Sequence, residues 1–166
     1  KIKKSGKYTV VPVFKTNKDL KKLDQNLFLI YTKVKRKKSF VINYVPKLNY
    51  LKKEQMKFIQ SSVKNAKDIL KEKDFDSIGS LLHETWIKKK ELSKIVSNSK
   101  LDNLYFNAIK SGATGGKLLG AGGGGFFLFY VPMKNQKKFL LKFKKNLLIP
   151  FKCTNHGSKI ILNNND

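Results

Sequence analysis

The sequence predicts an α+β fold, an antiparallel sheet with helices covering one of its faces. Strand-like apolar runs stand near both ends of the chain, helical patterns follow one another in its middle, and the two kinds of element do not alternate regularly. The chain has 166 residues, which is enough for one full core. We therefore expect one domain with an N-terminal extension.

Two strands are predicted before the helices. Residues 7–14 alternate weakly between polar and apolar side chains, and Pro12 is typical of a sheet edge. Residues 27–32, LFLIYT, form a short apolar run that predicts a buried strand. A basic turn at residues 33–38 follows, and residues 39–50 are expected to be irregular because a proline and two asparagines interrupt them.

Three helices are predicted next. Apolar side chains recur at helical spacing through residues 51–71. The segment Asp74-Phe75-Asp76 can cap a second helix at residues 76–90. A third helix is predicted at residues 99–110, because Gly112 stands where helices prefer a left-handed residue.

The last third of the chain predicts a strand, a helix and two short strands. Residues 126–130, FFLFY, are apolar at every position and predict a strand buried on both faces. Residues 135–146 have the pattern of a lysine-rich amphipathic helix. Closing strands are predicted at residues 151–154 and 159–162, joined by a turn at residues 155–157.

A glycine-rich segment lies just before the strand at residues 126–130. Four consecutive glycines, residues 122–125, follow Gly120 and Ala121. Because glycine has no Cβ, such a backbone can bend sharply and bring its amides against an anion such as phosphate. A purely structural turn needs fewer glycines. The predicted order of helix, glycine loop and strand therefore indicates a candidate phosphate-binding loop.

Two well-known phosphate loops do not fit this segment. Residues 120–125 match G-x-G-x-x-G formally, but the dinucleotide fingerprint has a strand before the loop and a helix after it. A Walker A loop reads G-x-x-x-x-G-K-[ST], and Gly116-Lys117 fits only part of this pattern. Ser111 and Leu118 occupy the other two defining positions. Both alternatives are excluded.

The net charge of +25 suggests a nucleic-acid partner. Arg36 is the only arginine, however, and arginine is the residue that specific phosphate and base contacts favour. The lysines are scattered along the whole chain. A solvated basic surface is therefore favoured over a specific nucleic-acid face.

The single cysteine, Cys153, cannot form an internal disulfide, and no cysteine and histidine cluster has metal-binding spacing. No metal site is therefore predicted. No apolar run reaches the roughly 18 residues that span a bilayer, and no signal peptide is visible. We expect a cytoplasmic protein without a membrane partner. Because the sequence begins with Lys1, we also expect it to be part of a longer chain.

Residues 112–132, GATGGKLLGAGGGGFFLFYVP, resemble the third conserved motif of the GHMP kinases, G-x-K-L-x-G-A-G-x-G-G ahead of a strand. Residues 29–32 ahead of Arg36 resemble the strand and T-G-x-x-R turn that begin the family's C-terminal domain, with Lys33 in the place of the glycine. A further similarity is closest to the D-glycero-D-manno-heptose 7-phosphate kinases of this family. It comprises Leu81, Leu82, His83, Glu84, Trp86, Lys89, Lys90 and Leu92.

The resemblance implies that residues 27–166 form the C-terminal domain of such a kinase, a ferredoxin-like antiparallel sheet covered by helices. Residues 1–26 would be a strand and connection from an N-terminal kinase domain of the same enzyme. The family's P-x-G-x-G-S-S-A loop and catalytic aspartate belong to that domain, and we find neither in this sequence. The chain is therefore expected to be the C-terminal half of an ATP-dependent sugar kinase, to hold no catalytic residue and to be inactive alone.

ATP and Mg²⁺ are the cofactors that the resemblance implies, both bound mainly by the N-terminal domain, with a sugar or sugar phosphate as substrate. The loop is expected to present backbone amides to phosphate oxygens. A tight structural turn is the alternative. The predicted ATP- and phosphate-binding residues are Lys117, Gly120, Ala121, Gly122, Gly123 and Gly124.

The predicted substrate-binding residues are His83, Trp86, Lys89 and Lys90. His83, Trp86 and Lys90 share one face of a helix. On that face Trp86 can stack on a sugar ring, and Lys89 or Lys90 can meet a substrate phosphate. The alternative is that Trp86 belongs to the core and the lysines to the surface.

A basic α+β nucleic-acid-binding module is the competing function. The segment GGGGFFLFYV superficially resembles the strand signature of RNA-recognition modules. Stacking aromatics should alternate along an exposed strand, whereas residues 126–130 are apolar on both faces, which favours the kinase. A sheet face without helices and with two exposed aromatic side chains would favour RNA binding instead.

Overall fold

The structure, a computed structural model, describes residues 5–10, 12–14, 16–35 and 50–154. Within these residues it has five helices and four strands, so the chain is α+β, as predicted. The helices are α1 (Asn17–Asp24), α2 (Tyr50–Glu72), α3 (Asp76–Leu92), α4 (Ser99–Lys110) and α5 (Met133–Phe143). The strands are β1 (Leu27–Tyr31), β2 (Gly115–Leu118), β3 (Phe126–Tyr130) and β4 (Leu148–Ile149).

The four strands form one antiparallel sheet in the order β2-β3-β1-β4. In its register, Phe127 of β3 pairs with Ile30 of β1 on one side and with Leu118 of β2 on the other. Residues two apart in a strand point to the same face, so Phe129 shares the face of these three side chains. This face is the buried one, because all four side chains have 0% exposure.

Three helices supply the other side of the core. Trp86 of α3 packs edge-on against Phe127, with ring centroids 5.3 Å apart. Tyr105 of α4 lies 5.7 Å from both Phe127 and Phe129. Phe139 of α5 lies 6.0 Å from Phe129. Helices therefore cover this face of the antiparallel sheet, which confirms the predicted architecture.

Helix α3 also lies along the free edge of the sheet, beside β2. A Cβ on Gly79 would overlap the side chain of Thr114, and a Cβ on Gly115 would overlap the Gly79 carbonyl. Further along the helix, Lys89 Nζ donates to the Leu118 carbonyl over 3.3 Å. An uncovered strand edge exposes unpaired backbone groups, and α3 provides the cover for β2.

The four helices that the sequence predicts are confirmed within a few residues at each end. Asn98 caps α4, because its side chain accepts a hydrogen bond from the Leu101 amide at 3.1 Å. The predicted aspartate cap of α3 is wrong: Phe75 occupies the cap position and makes no side-chain cap bond. Asp74 instead accepts a hydrogen bond from the Ser77 hydroxyl.

The N-terminal part of the fold differs from the prediction. The described residues of segment 7–14 form no strand, and helix α1 follows them. Its sequence, NKDLKKLD, has only two apolar residues, so local periodicity does not reveal it. Tertiary contacts stabilise this helix: Asp19 forms an ion pair with Lys73 over 3.0 Å, and Leu23 is buried.

Two short strands also differ from the prediction. Strand β2, GGKL, contains two glycines, which disfavour a strand by themselves, and it forms because it pairs with β3. The strand predicted at residues 151–154 is wrong, because these residues have no regular structure and β4 lies before them. Pro150 separates the two segments and lacks the amide that a continuing ladder needs. The predictions for Arg36, for residues 39–49 and for residues 155–162 lie outside the described residues.

Candidate functional site

The glycine-rich segment connects β2 to β3 as residues 119–125. The sequence predicts a helix directly before this loop, and that order is wrong because β2 lies between α4 and the loop. The dinucleotide fingerprint remains excluded, since a strand and not a helix follows the loop. A loop of seven residues between neighbouring antiparallel strands is longer than a tight hairpin needs.

Every glycine of the loop adopts a positive φ. The angles are 70° at Gly120, 115° at Gly122, 73° at Gly123, 152° at Gly124 and 108° at Gly125. Residues with a Cβ rarely adopt such conformations. The path of the loop therefore requires glycine at these positions.

Two of these glycines also lie close against neighbouring backbone. A Cβ on Gly122 would lie 3.1 Å from both the Cα and the carbonyl oxygen of Val96. A Cβ on Gly124 would overlap the carbonyl oxygen of Val34. The loop therefore packs between the α3–α4 connection, which contains Val96, and the residues that follow β1.

Hydrogen bonds hold the loop in its middle and at its end. The Gly123 amide donates to the Val96 carbonyl at 2.9 Å. The Gly125 amide donates to the Thr32 hydroxyl at 3.2 Å, and the Thr32 amide donates to the Gly125 carbonyl at 2.9 Å. The loop is thus fixed by residues from two distant parts of the chain.

The amides of Ala121 and Gly122 make no hydrogen bond within the described part of the chain. The Gly123 amide, which the sequence predicts as a phosphate ligand, is occupied by the Val96 carbonyl in this conformation. An anion at the loop would therefore meet the amides of Ala121 and Gly122 without breaking a protein hydrogen bond. Neighbouring backbone amides of this kind suit phosphate oxygens.

Two lysines lie next to the start of the loop. Lys117 of β2 is half-buried, and burial lowers its pKa below the ordinary lysine value. Lys89 of α3 donates to the carbonyl oxygens of Leu118, at 3.3 Å, and of Gly120. Lys89 thus engages backbone carbonyls at the start of the loop, directly before the unengaged amides.

Lys117→Met is expected to raise the free energy of unfolding at neutral pH and to remove part of its pH dependence. Because burial lowers the Lys117 pKa in the folded state, the unfolded chain binds more protons just below the ordinary lysine pKa of about 10.4. The buried charge therefore lowers the free energy of unfolding at neutral pH. This destabilisation is lost as pH rises through the folded-state pKa of Lys117 toward its unfolded value. Urea unfolding at several pH values measures the difference, with the exposed Lys100→Met as control. An unchanged pH dependence in Lys117→Met would contradict the prediction.

His83 and Tyr105 form a partly buried polar pair beside β2. His83 Nδ1 lies 2.7 Å from the Tyr105 hydroxyl, and the two rings stack with centroids 6.0 Å apart. Burial raises the pKa of Tyr105 to about 12, although a hydrogen bond with the Gly116 backbone opposes this shift. Tyr105 therefore keeps its proton, its oxygen accepts from the Gly116 amide, and its hydroxyl shares a hydrogen bond with His83 Nδ1.

Tyr105→Phe is expected to lower the free energy of unfolding by about 1–3 kcal/mol, because it leaves the Gly116 amide and His83 Nδ1 without their partner. Chemical denaturation measures the loss. Tyr31→Phe is the matched control, since the Tyr31 hydroxyl makes no hydrogen bond within the described residues; its effect should stay within about 0.5 kcal/mol. Equal effects of the two substitutions would show that the Tyr105 hydroxyl has no structural role.

The other predicted substrate residues are dispersed. Trp86 has 0% exposure and belongs to the core, the alternative that the sequence leaves open for it. Lys90 forms an ion pair with Asp102 over 3.2 Å, and its ammonium lies 5.7 Å from the centroid of the Trp86 ring. Lys89 points to the loop carbonyls, and His83 to Tyr105. Among the described residues, each of the four side chains therefore has contacts of its own.

The sheet face opposite the core carries Tyr31 and Phe126, whose ring centroids are 5.1 Å apart. Phe126 is 36% exposed, and Tyr31 is half-buried against it. Tyr130 on the same face is 1% exposed and donates a hydrogen bond to Asp76 at 3.0 Å. The described residues of this face therefore lack the two exposed stacking aromatics that would favour RNA binding.

No cluster of three or more potential metal ligands occurs among the described residues. A divalent cation such as Mg²⁺ is usually held by one or two carboxylates together with the phosphates of a bound molecule. Within the described ranges, each helix is too short or too polar to cross a membrane.

Comparison with known proteins finds relatives among kinases. Residues 65–146 match the family model described as GHMP kinases C terminal. The chain is 34% identical over 108 residues to the D-glycero-alpha-D-manno-heptose 7-phosphate kinase of Campylobacter jejuni, a match covering 64% of this chain and 32% of that protein. It is 30% identical over 124 residues to the bifunctional fucokinase/GDP-fucose pyrophosphorylase of Arabidopsis thaliana, covering 72% of this chain and 12% of that protein.

A solved structure extends this similarity. The crystal structure of Methanococcus jannaschii mevalonate kinase superposes with a TM-score of 0.63 and 28% identity, over 82% of this chain and 43% of that one. The chain therefore spans less than half of this kinase, and about a third of the heptose kinase.

Proposed function

We propose that the chain is the C-terminal part of an ATP-dependent sugar kinase. The proposal starts from the match of residues 65–146 to the family model of the GHMP kinase C-terminal domain. In this proposal residues 27–166 form the domain, and residues 1–26 connect it to an N-terminal kinase domain of the same enzyme. The names of two relatives, heptose 7-phosphate kinase and fucokinase, support a sugar or sugar phosphate as the substrate.

The observation that carries the proposal is the pair of unengaged amides at Ala121 and Gly122 in a loop that is fixed on both sides of them. Phosphoryl transfer needs positioning and charge stabilisation more than covalent chemistry from the protein. Donors that already have the right direction need no reorganisation when charge develops on the phosphate oxygens. The loop amides supply such donors, and Lys89 holds the Gly120 carbonyl on the opposite side of the peptide unit from the Ala121 amide.

ATP fits this arrangement because polyphosphate oxygens accept hydrogen bonds from backbone amides and from lysine. When bound, ATP supplies the phosphoryl group, and the part of this chain is to hold phosphate oxygens at the loop. The described residues hold no cluster of three or more acidic, histidine or cysteine side chains that would bind Mg²⁺ without phosphate ligands. We propose that its ligands belong to the N-terminal domain.

His83 is the predicted substrate residue that the proposal retains most directly. Tyr105 holds its Nδ1 and fixes the ring, so Nε2 is the nitrogen that can meet a substrate hydroxyl or phosphate. Lys90 is paired with Asp102, and Trp86 supports the helix from within the core.

The test is steady-state kinetics of the complete enzyme that contains this chain, with ATP and either D-glycero-D-manno-heptose 7-phosphate or mevalonate. We expect turnover with the heptose phosphate and none with mevalonate. The chain alone should not turn over ATP with either substrate, because the family's nucleotide loop and catalytic base are absent from it. Turnover by the chain alone, or a complete enzyme that phosphorylates no sugar, would refute the proposal.

A further inference from the structure

Thr32, directly after β1, holds the end of the glycine loop through its side chain. It is 7% exposed, and its hydroxyl oxygen accepts from the amides of both Gly125 and Val34 at 3.2 Å. The Thr32 amide donates in return to the Gly125 carbonyl at 2.9 Å. In a regular antiparallel pair the two residues would exchange both bonds through backbone carbonyls. Here the Thr32 hydroxyl replaces its carbonyl, so the β1–β3 ladder ends and the loop turns away.

The same hydroxyl also closes the turn at residues 32–34, which packs against the loop. Lys33 adopts a φ of 56°, the left-handed conformation that the family's glycine at this position would favour. The bond to the Val34 amide closes this turn, and the Val34 carbonyl then fills the space beside Gly124 where a Cβ would lie. One oxygen atom therefore fixes both sides of the contact between this turn and the loop.

Lys89 acts at the other end of the loop, through its bonds to the Leu118 and Gly120 carbonyls. A peptide unit is planar and trans, so its C=O and the following N–H point in opposite directions. Because Lys89 draws the Gly120 carbonyl toward α3, the Ala121 amide must point away from α3. The ammonium thus determines the direction of one of the two unengaged amides.

We propose that Thr32 and Lys89 are positioning residues that hold the glycine loop in the conformation that presents the Ala121 and Gly122 amides to phosphate. This inference rests on the proposed function of the loop. It gives Lys89 a role different from the substrate contact that the sequence suggests, since the lysine acts on phosphate through the loop backbone.

The test is an NMR titration of the chain with tripolyphosphate, following the amide resonances of Ala121 and Gly122. Thr32→Val keeps the shape of the side chain and removes its oxygen, whereas Thr32→Ser keeps the oxygen. Lys89→Met removes the ammonium at the loop, whereas Lys88→Met removes one that pairs with Glu91 over 3.1 Å, at equal net charge.

We expect Thr32→Val and Lys89→Met to weaken tripolyphosphate binding at the two amides by about tenfold or more, and the two controls to weaken it by less than about threefold. Thermal melts identify any variant that is unfolded. If Thr32→Val does not fold, the comparison of Lys89→Met with Lys88→Met decides. The proposal is overturned if Thr32→Val binds tripolyphosphate as tightly as Thr32→Ser does, and Lys89→Met as tightly as Lys88→Met.

A wild-type chain whose Ala121 and Gly122 amides do not respond to tripolyphosphate would count against the proposed function instead. In that case, hydrogen exchange of the Gly125 amide tests whether the Thr32 hydroxyl holds the end of the loop. Faster exchange in Thr32→Val than in Thr32→Ser would support the role of Thr32 in holding the loop, and equal exchange would overturn it.

Discussion

Gly122→Val is expected to abolish phosphoryl transfer by the enzyme that contains this chain while the protein stays folded. Gly122 has a φ of 115°, and a Cβ there would lie 3.1 Å from the Val96 backbone. A β-branched side chain cannot adopt this conformation without strain, so the loop must move and its two unengaged amides lose their direction. The strain should cost on the order of 1–3 kcal/mol, less than the roughly 5–15 kcal/mol that stabilises a typical domain.

The matched control for this substitution is Gly112→Val. Gly112 has a φ of 108°, and a Cβ there would lie 2.5 Å from the Asn135 side chain, so this substitution is strained at least as much but lies outside the loop. A second control, Ala121→Gly, keeps the amide and should retain substantial activity. The measurement is kcat/KM for ATP together with a thermal melt of each variant. Full activity in a folded Gly122→Val enzyme would mean that the loop is only a turn.

Most helices of this fold could be predicted because their signals are local. Helix α4 is followed by Gly112, the signal used to predict it, and this glycine has a φ of 108° in the structure. Strands β1 and β3 could be predicted for the same reason, since both are short apolar runs. Their pairing is then the simplest way to bury Ile30 and Phe127 together.

The elements that could not be predicted depend on partners far away in the sequence. Strand β2 has two glycines and pairs with β3, and α1 has few apolar residues but buries Leu23 and pairs Asp19 with Lys73. The same limit applies to the loop. Its glycines are visible in the sequence, but the Gly125 anchor is Thr32, 93 residues away. The Val96 contact leaves no sequence signal at all, because it uses a carbonyl that every residue has.

Tyr105 is the site residue that sequence reasoning missed. Its partner His83 lies 22 residues earlier, on a different helix. Helical spacing places Tyr105 on the buried side of α4, where an aromatic ring is expected from packing alone. Only the pairing of α3 with the edge of β2 brings its hydroxyl to the Gly116 amide and to His83.

Trp86→Ala is expected to lower the free energy of unfolding by about 3–5 kcal/mol, the largest stability loss that we expect from any single substitution considered for this chain. Trp86 has 0% exposure and contacts Phe127 and Tyr105 at centroid distances of 5.3 Å and 6.2 Å. Truncation removes this packing and leaves a cavity between α3, α4 and the sheet. Urea denaturation, with the slope checked for two-state behaviour, measures the loss.

Trp86→Phe separates the packing of this side chain from its polar group. Trp86 Nε1 is buried and has no hydrogen-bond partner in the described part of the chain, and a donor in that position costs about 1–3 kcal/mol. Phenylalanine keeps an aromatic ring against Phe127 and removes the unpaired donor, so the loss should be well below that of Trp86→Ala. A loss as large as that of alanine would show that the full indole ring, and not an aromatic ring alone, is needed to fill this part of the core. If instead Trp86→Ala leaves stability nearly unchanged but raises KM for the sugar substrate in the complete enzyme, Trp86 contacts the substrate and does not belong to the core.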